Sequence, residues 1–166
     1  MNPTILLVDV ASAERENWKA FLENQSYDVF TAETPDSAQQ LCLQLQPDLV
    51  LLHDHSQVRG SELCRRLKQD PLNQLTPVVL ISSAPTPMER EQSREAGAAD
   101  FWGLPSSLGE GLGRIQTLLQ LKSYIDEQAK SVVLSLARSI ETKHCLTDGH
   151  SDRLAEYALQ LGASLG

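Results

Sequence analysis

Pro47-Asp48-Leu49-Val50-Leu51-Leu52-His53-Asp54-His55, followed by Gly60-Ser61-Glu62-Leu63-Cys64-Arg65-Arg66-Leu67-Lys68, is the stretch on which the fold turns. Leu49, Val50, Leu51 and Leu52 form an unbroken apolar run with no polar alternation, which reads as a strand buried on both faces. His53 to Arg59 then reads as a polar loop. Gly60 and Ser61 open a helix whose Leu63, Cys64 and Leu67 share one side. A doubly buried strand feeding an amphipathic helix is half of a βαβ crossover, so the rest of the chain must supply its partners.

Upstream, Thr4-Ile5-Leu6-Leu7-Val8 is a second apolar run and ends in Asp9. Ser12 can cap a helix carrying Trp18, Phe21 and Leu22 at i, i+3, i+4. Residues 27–32 read as a strand. Thr34-Pro35 supplies a cap and a first-turn proline for a helix with Ala38, Leu41, Cys42 and Leu45 on its inner side, stopped by Pro47-Asp48. Downstream, Asp70-Pro71 and Thr76-Pro77 bracket a loop before Val78-Val79-Leu80-Ile81. A helix over residues 87–96 ends at Gly97 as a left-handed cap, and Asp100-Phe101-Trp102 is a short fifth strand. Strict alternation with short links predicts an α/β fold, a doubly wound five-stranded parallel sheet with right-handed crossovers. In such sheets the functional crevice lies beyond the carboxyl ends of the strands. Asp9-Val10, His53-Asp54-His55, Ser82-Ser83 and Gly103-Leu104-Pro105 are therefore the candidate site.

Composition narrows the partners. The chain has 166 residues, 14 Lys+Arg against 22 Asp+Glu, and a formal charge of −8. An acidic chain lacks the clustered cations that bind phosphate backbones or anionic lipid, so no nucleic acid and no membrane are expected. No apolar run reaches the roughly 20 residues of a bilayer span, and no signal-peptide pattern opens the chain, so a cytoplasmic location is expected. Cys42, Cys64 and Cys145 form no C-x-x-C and suggest neither a disulfide framework nor a zinc cage. One α/β domain accounts for about 100–150 residues, leaving a remainder too short for a second core.

Five segments in order, Ile5-Leu6-Leu7-Val8-Asp9, Pro47 to Leu52, Gly60 to Lys68, Thr76 to Ser82 and Gly97-Ala98-Ala99-Asp100-Phe101, resemble the response-regulator receiver domain, a flavodoxin-like fold, over residues 3–121. The resemblance implies two adjacent acids after the first strand, a phospho-accepting Asp after the third, a Thr/Ser after the fourth, and a Lys before a proline after the fifth. Carboxylates there gather Mg²⁺ near the acceptor, the Lys offsets the crowded negative charge, and the hydroxyl reports the phosphoryl group. This chain departs from that set. Asp9 is followed by Val10, His53 stands at the acceptor position counted from Pro47-Asp48, Ser82 holds the hydroxyl position, and Leu104 replaces the Lys before Pro105. The expectation is a degenerate receiver that is not phosphorylated in the usual way and needs no cofactor. If the third strand ended one residue later, Asp54 would be the acceptor, with Mg²⁺ and a sensor kinase as partners; against this, a one-residue shift turns a side chain to the opposite face.

Other features at the crevice have two readings each. His53 and His55 could share a divalent ion, or they belong to a polar loop with His53 filling a vacated pocket. Ser82-Ser83 is a relic of a switch hydroxyl or a strand end satisfying backbone groups. Trp102 reads as packing or interface, and Cys42 and Cys64 as small core residues.

Beyond Pro105 the sequence is helical and barely stops. Leu108, Leu112, Ile115 and Leu119 form one seam; Ile125, Ala129, Val132, Leu136 and Ser139 form another, with a phase shift at Lys122. The first suits the last helix of the α/β domain. The second, within a connecting helix over 122–145, predicts a homodimer through residues 122–143. Ser139 to Ala158, with Gly149-His150-Ser151 and Arg153, is similar to the opening of HD-GYP metal-dependent phosphohydrolases, which hydrolyse cyclic di-GMP and often carry a receiver. Residues 146–166 then read as the truncated start of such an output domain, with His150 a remnant of its metal site. The His-Asp pair that names that family has no counterpart downstream, so the chain itself is expected to be inactive. The combined expectation is a pseudo-receiver that controls or dimerises an HD-GYP-type phosphodiesterase, and the alternative is a phosphorylatable receiver using Asp54.

Overall fold

The computed structural model describes residues 2–8, 12–54, 60–103, 108–144, 153 and 155–160. In chain order the elements are β1 (Thr4–Val8), α1 (Ser12–Asn24), β2 (Asp28–Ala32), α2 (Pro35–Leu45), β3 (Leu49–Asp54), α3 (Gly60–Gln69), β4 (Val78–Ser82), α4 (Pro87–Glu95), β5 (Asp100–Gly103) and α5 (Leu108–His144). The strands form one parallel sheet in the order β2-β1-β3-β4-β5. The expected doubly wound α/β sheet and the long C-terminal helix are both present.

Two compact units divide the chain, residues 1–122 and residues 123–166. In the first unit the alternation of each strand splits the core in two. Leu6, Val8, Val50, Leu52, Val78 and Leu80 pack with Ala38, Cys42, Leu63, Cys64 and Leu67 of α2 and α3. Ile5, Leu7, Leu49, Leu51, Val79 and Ile81 pack with Trp18 and Leu22 of α1 and Ile115 of α5. Burial on both faces is why these strands read as continuous apolar runs.

Local signals act where the sequence places them. Thr34 and Thr86 each close a capping box, with Ser37 and Glu89 respectively, and a proline follows each cap. Gly97 takes a φ of +82°, the left-handed conformation expected after α4. Asp48 fastens the start of β3 to β1: its carboxylate Oδ2 accepts from the Thr4 N–H, and its own N–H donates to the Thr4 carbonyl, both at 2.8 Å. That double tie fixes the register from which the residues at the far end of β3 are counted.

The second unit holds the remainder of α5 and a short helical stretch over residues 155–160. Here Tyr124, Val132 and Leu136 are exposed, whereas Ala155 is buried. No helix among the described residues is long and apolar enough to cross a membrane.

Candidate functional site

The carboxyl ends of β1, β3, β4 and β5 carry the candidate residues. Asp9, Val10, His55, Leu104, Pro105 and His150 lie outside the described residues; His53, Asp54, Ser82 and Gly103 lie within them. The sequence reading ended the third strand at Leu52 and began a loop at His53. Instead β3 runs on through Asp54, because β4 offers ladder partners to both extra residues: His53 pairs with Ile81 and Asp54 with Ser82. Ser82 in turn pairs with Gly103 of β5.

The two adjacent β3 residues have opposite parity along the strand. His53 is 7% exposed and shares the parity of Leu49 and Leu51, on the side of the sheet that packs against α1 and α5. It is thus an enclosed imidazole within the strand rather than part of a loop. Asp54 stands one position on, in register with the hydroxyl-bearing residue of β4. Ser82 is 3% exposed, and its Oγ accepts from the Ala84 N–H at 3.3 Å, which bends the chain away from the strand end. Among the described residues no group of three or more His, Cys, Asp or Glu side chains could hold a metal ion.

Around this edge the structure adds groups that sequence reasoning missed. Arg15, in the first turns of α1, reaches Glu33 just past β2 with an Nη1–Oε1 distance of 2.9 Å, and its side chain is 13% exposed. A cation is therefore held at the carboxyl edge by an acid distant in sequence, a pairing with no local spacing signature. Gly103 packs so closely under Pro85 that a Cβ there would lie 2.6 Å from the proline Cγ. The β4–α4 connection is thereby closed down on the end of β5.

On β5 the two aromatics face opposite ways. Phe101 is buried on the α2/α3 side, and the Arg90 guanidinium of α4 sits 5.3 Å from its ring centroid. Trp102 is buried on the other side, stacked on Trp18, so its role is packing, as one of the two readings held. Asp100 accepts from Trp102 Nε1 at 2.6 Å and from Arg114 Nη1 of α5 at 3.0 Å. This pairing with Asp100, followed by that with Glu110, holds the Arg114 guanidinium above its ordinary pKa.

Cys42 and Cys64 are buried free thiols of the α2/α3 core, and Cys64 Sγ donates to the Ala96 carbonyl at 3.5 Å. Burial pushes the Cys42 thiol up to about 12 and the Cys64 thiol up to about 11. Neither is a nucleophile, since the reactive species is the thiolate.

Comparison with known proteins places this architecture. Residues 5–116 match the family model of the response regulator receiver domain. The chain is 32% identical over 129 residues to the DNA-binding dual master transcriptional regulator RpaA of Synechocystis sp., covering 77% of this chain and 54% of that protein. Over 128 residues it is 34% identical to the response regulator PleD of Caulobacter vibrioides, covering 76% of this chain and 28% of PleD. It thus spans about half of the first relative's length and about a quarter of the second's. Among solved structures, the beryllofluoride-activated N-terminal receiver domain of Klebsiella pneumoniae RstA superposes with a TM-score of 0.64 at 27% identity, covering 70% of this chain and 97% of that one. The signal receiver domain of a Syntrophus aciditrophicus signal transduction histidine kinase gives 0.66 at 27% identity, covering 71% and 90%.

Proposed function

Because the chain belongs to the response regulator receiver family, we propose that residues 3–121 act as the receiver of a two-component response regulator, with Asp54 as the carboxylate that takes the phosphoryl group. One observation carries the assignment: β3 continues through Asp54, the register partner of Ser82. A carboxylate and a hydroxyl at the ends of adjacent central strands are the pair the transfer needs. The carboxylate oxygen bonds to phosphorus as the donor leaves, and the hydroxyl donates to the new phosphoryl oxygens. A receiver implies a cognate sensor kinase as donor.

Mg²⁺ belongs to this reading. With Val10 in place of an acid, Asp9 and Asp54 are the carboxylates that would hold it. When bound, the ion would neutralise charge on the phosphoryl oxygens.

A specific observation favours the second reading, the pseudo-receiver. The residue at the counted acceptor position is His53, and it is buried rather than presented to solvent. With Leu104 where a Lys would offset charge, the module then signals by docking alone. Incubation with Mg²⁺ and acetyl phosphate, followed by intact-mass measurement, separates the two. Incorporation of one phosphoryl group at Asp54 supports the first; an unlabelled chain refutes it and leaves the second.

We further propose that residues 122–143 pair two copies and that residues 146–166 belong to an HD-GYP-type output domain. The dimer is supported by the exposed Val132 and Leu136 on the second seam, and the output assignment by the Gly149-His150-Ser151 and Arg153 resemblance. Sedimentation should give a dimer that Leu136→Asp converts to monomer; a monomer at high micromolar concentration in the parent chain would refute the pairing. The full-length protein should hydrolyse cyclic di-GMP with a divalent metal, and inactivity with every divalent ion tried removes the output assignment.

A further inference from the structure

Trp102 lies one residue before Gly103, the β5 residue that pairs with Ser82 at the carboxyl edge. Its indole Nε1 and the Arg114 guanidinium of α5 donate to the same Asp100 oxygen. Its ring stacks on Trp18 of α1, with centroids 6.3 Å apart and planes inclined by 30°. Both rings then close on Gly111 of α5. A Cβ at that position would stand 2.6 Å from Trp18 Cη2 and 3.5 Å from Trp102 Cζ3. Carbon atoms in good contact sit about 3.5–4.0 Å apart, so only glycine fits between this helix and the indole pair.

The requirement is local. A Cβ at Gly109 or Gly113, two positions to either side, would meet nothing within 4 Å. The first turns of α5 are therefore not short of space in general; they are seated at one point. Interiors packed this closely pass a displacement on rather than absorb it. Through the register partners, Asp54 is joined to Ser82, Ser82 to Gly103, and Gly103 by the chain to Trp102.

We propose that the Trp18–Trp102 pair, with Gly111 seated on it, is the joint through which the carboxyl edge of the sheet and α5 move together. What signal moves the edge rests on the receiver reading; the joint itself does not. The test accordingly uses no phosphodonor, so failure to label Asp54 and failure of the joint are separate results.

Hydrogen exchange of the whole chain, read by mass spectrometry, tests it. Gly111→Ala is expected to speed exchange about tenfold both in residues 112–122 of α5 and at the strand ends around Ser82 and Gly103, with the amides of β1 unchanged. Tryptophan emission should shift as well, and because the chain contains two tryptophans, emission reports this pair alone. Gly109→Ala, whose added methyl meets nothing, should leave the strand ends at parental rates. Faster exchange confined to α5, or no change in Gly111→Ala, overturns the proposal. If the β1 amides also accelerate, the sheet itself has opened, and Trp18→Phe decides instead. That variant trims the stack without a clash; it should accelerate α5 and the strand ends together, and an effect on α5 alone overturns the joint.

Discussion

Asp54→Asn is expected to reduce phosphoryl incorporation from acetyl phosphate to background, while His53→Asn leaves it at the parental level. The contrast follows from the strand. Consecutive residues of β3 belong to opposite faces, so His53 and Asp54 cannot substitute for each other at one position. His53 is enclosed beside the α1/α5 core, and Asp54 is the register partner of Ser82. An amide in place of the carboxylate keeps the shape and removes the nucleophilic oxygen. Intact-mass spectra of the parent and both variants read the outcome directly. Label that persists in Asp54→Asn would move the acceptor elsewhere, and label that disappears in His53→Asn alone would restore the counted position.

Alkaline pH is expected to weaken the receiver through two thiols it never uses chemically. Burial raises Cys42 to about 12 and Cys64 to about 11 from an ordinary value of 9.0. The folded state thus keeps its thiol protons at pH values where the unfolded chain has lost them. Stability from these groups is intact below about pH 9 and is lost as the pH rises toward 11 and 12. One pH unit above the unfolded value corresponds to about 1.4 kcal/mol per thiol, so the pair accounts for about 3 kcal/mol near pH 10. Against a total stability of about 5–15 kcal/mol, that is a large fraction. Urea unfolding at about pH 8 and about pH 10 measures it. Other groups titrate in this window, so the informative quantity is the difference between the parent and Cys42→Ala/Cys64→Ala, whose loss over the same interval should be smaller by about 3 kcal/mol. Equal losses would show that the buried thiols do not govern the alkaline limb.

Much of the fold was legible in the sequence, and what was not has a common cause. The existence and order of the central strands follow from the apolar runs alone, because a strand buried on both faces cannot disguise itself with alternation. The ends of helices were equally legible: Thr34-Pro35 and Gly97 act through groups within a few residues of themselves. The length of β3 was not. Polar His53 and Asp54 read as a loop, and they extend the strand only because Ile81 and Ser82 lie alongside to complete the ladder. Trp102 was legible as packing, but its partner Trp18 and the gap at Gly111 were not, since neither has a sequence spacing that reveals the other. The Arg15–Glu33 pair at the carboxyl edge belongs to the same class.

By itself, then, the sequence determined the α/β class and the order of the elements. These depend on local hydrophobic patterning, caps and residue identity, which tertiary contacts do not alter. The tertiary structure alone decided which of His53 and Asp54 stands opposite Ser82, and which glycine of α5 rests on the tryptophan pair. Both are matters of register and close approach between segments far apart in the chain. Their energies come from ladder hydrogen bonds and van der Waals contact that exist only after the sheet has assembled.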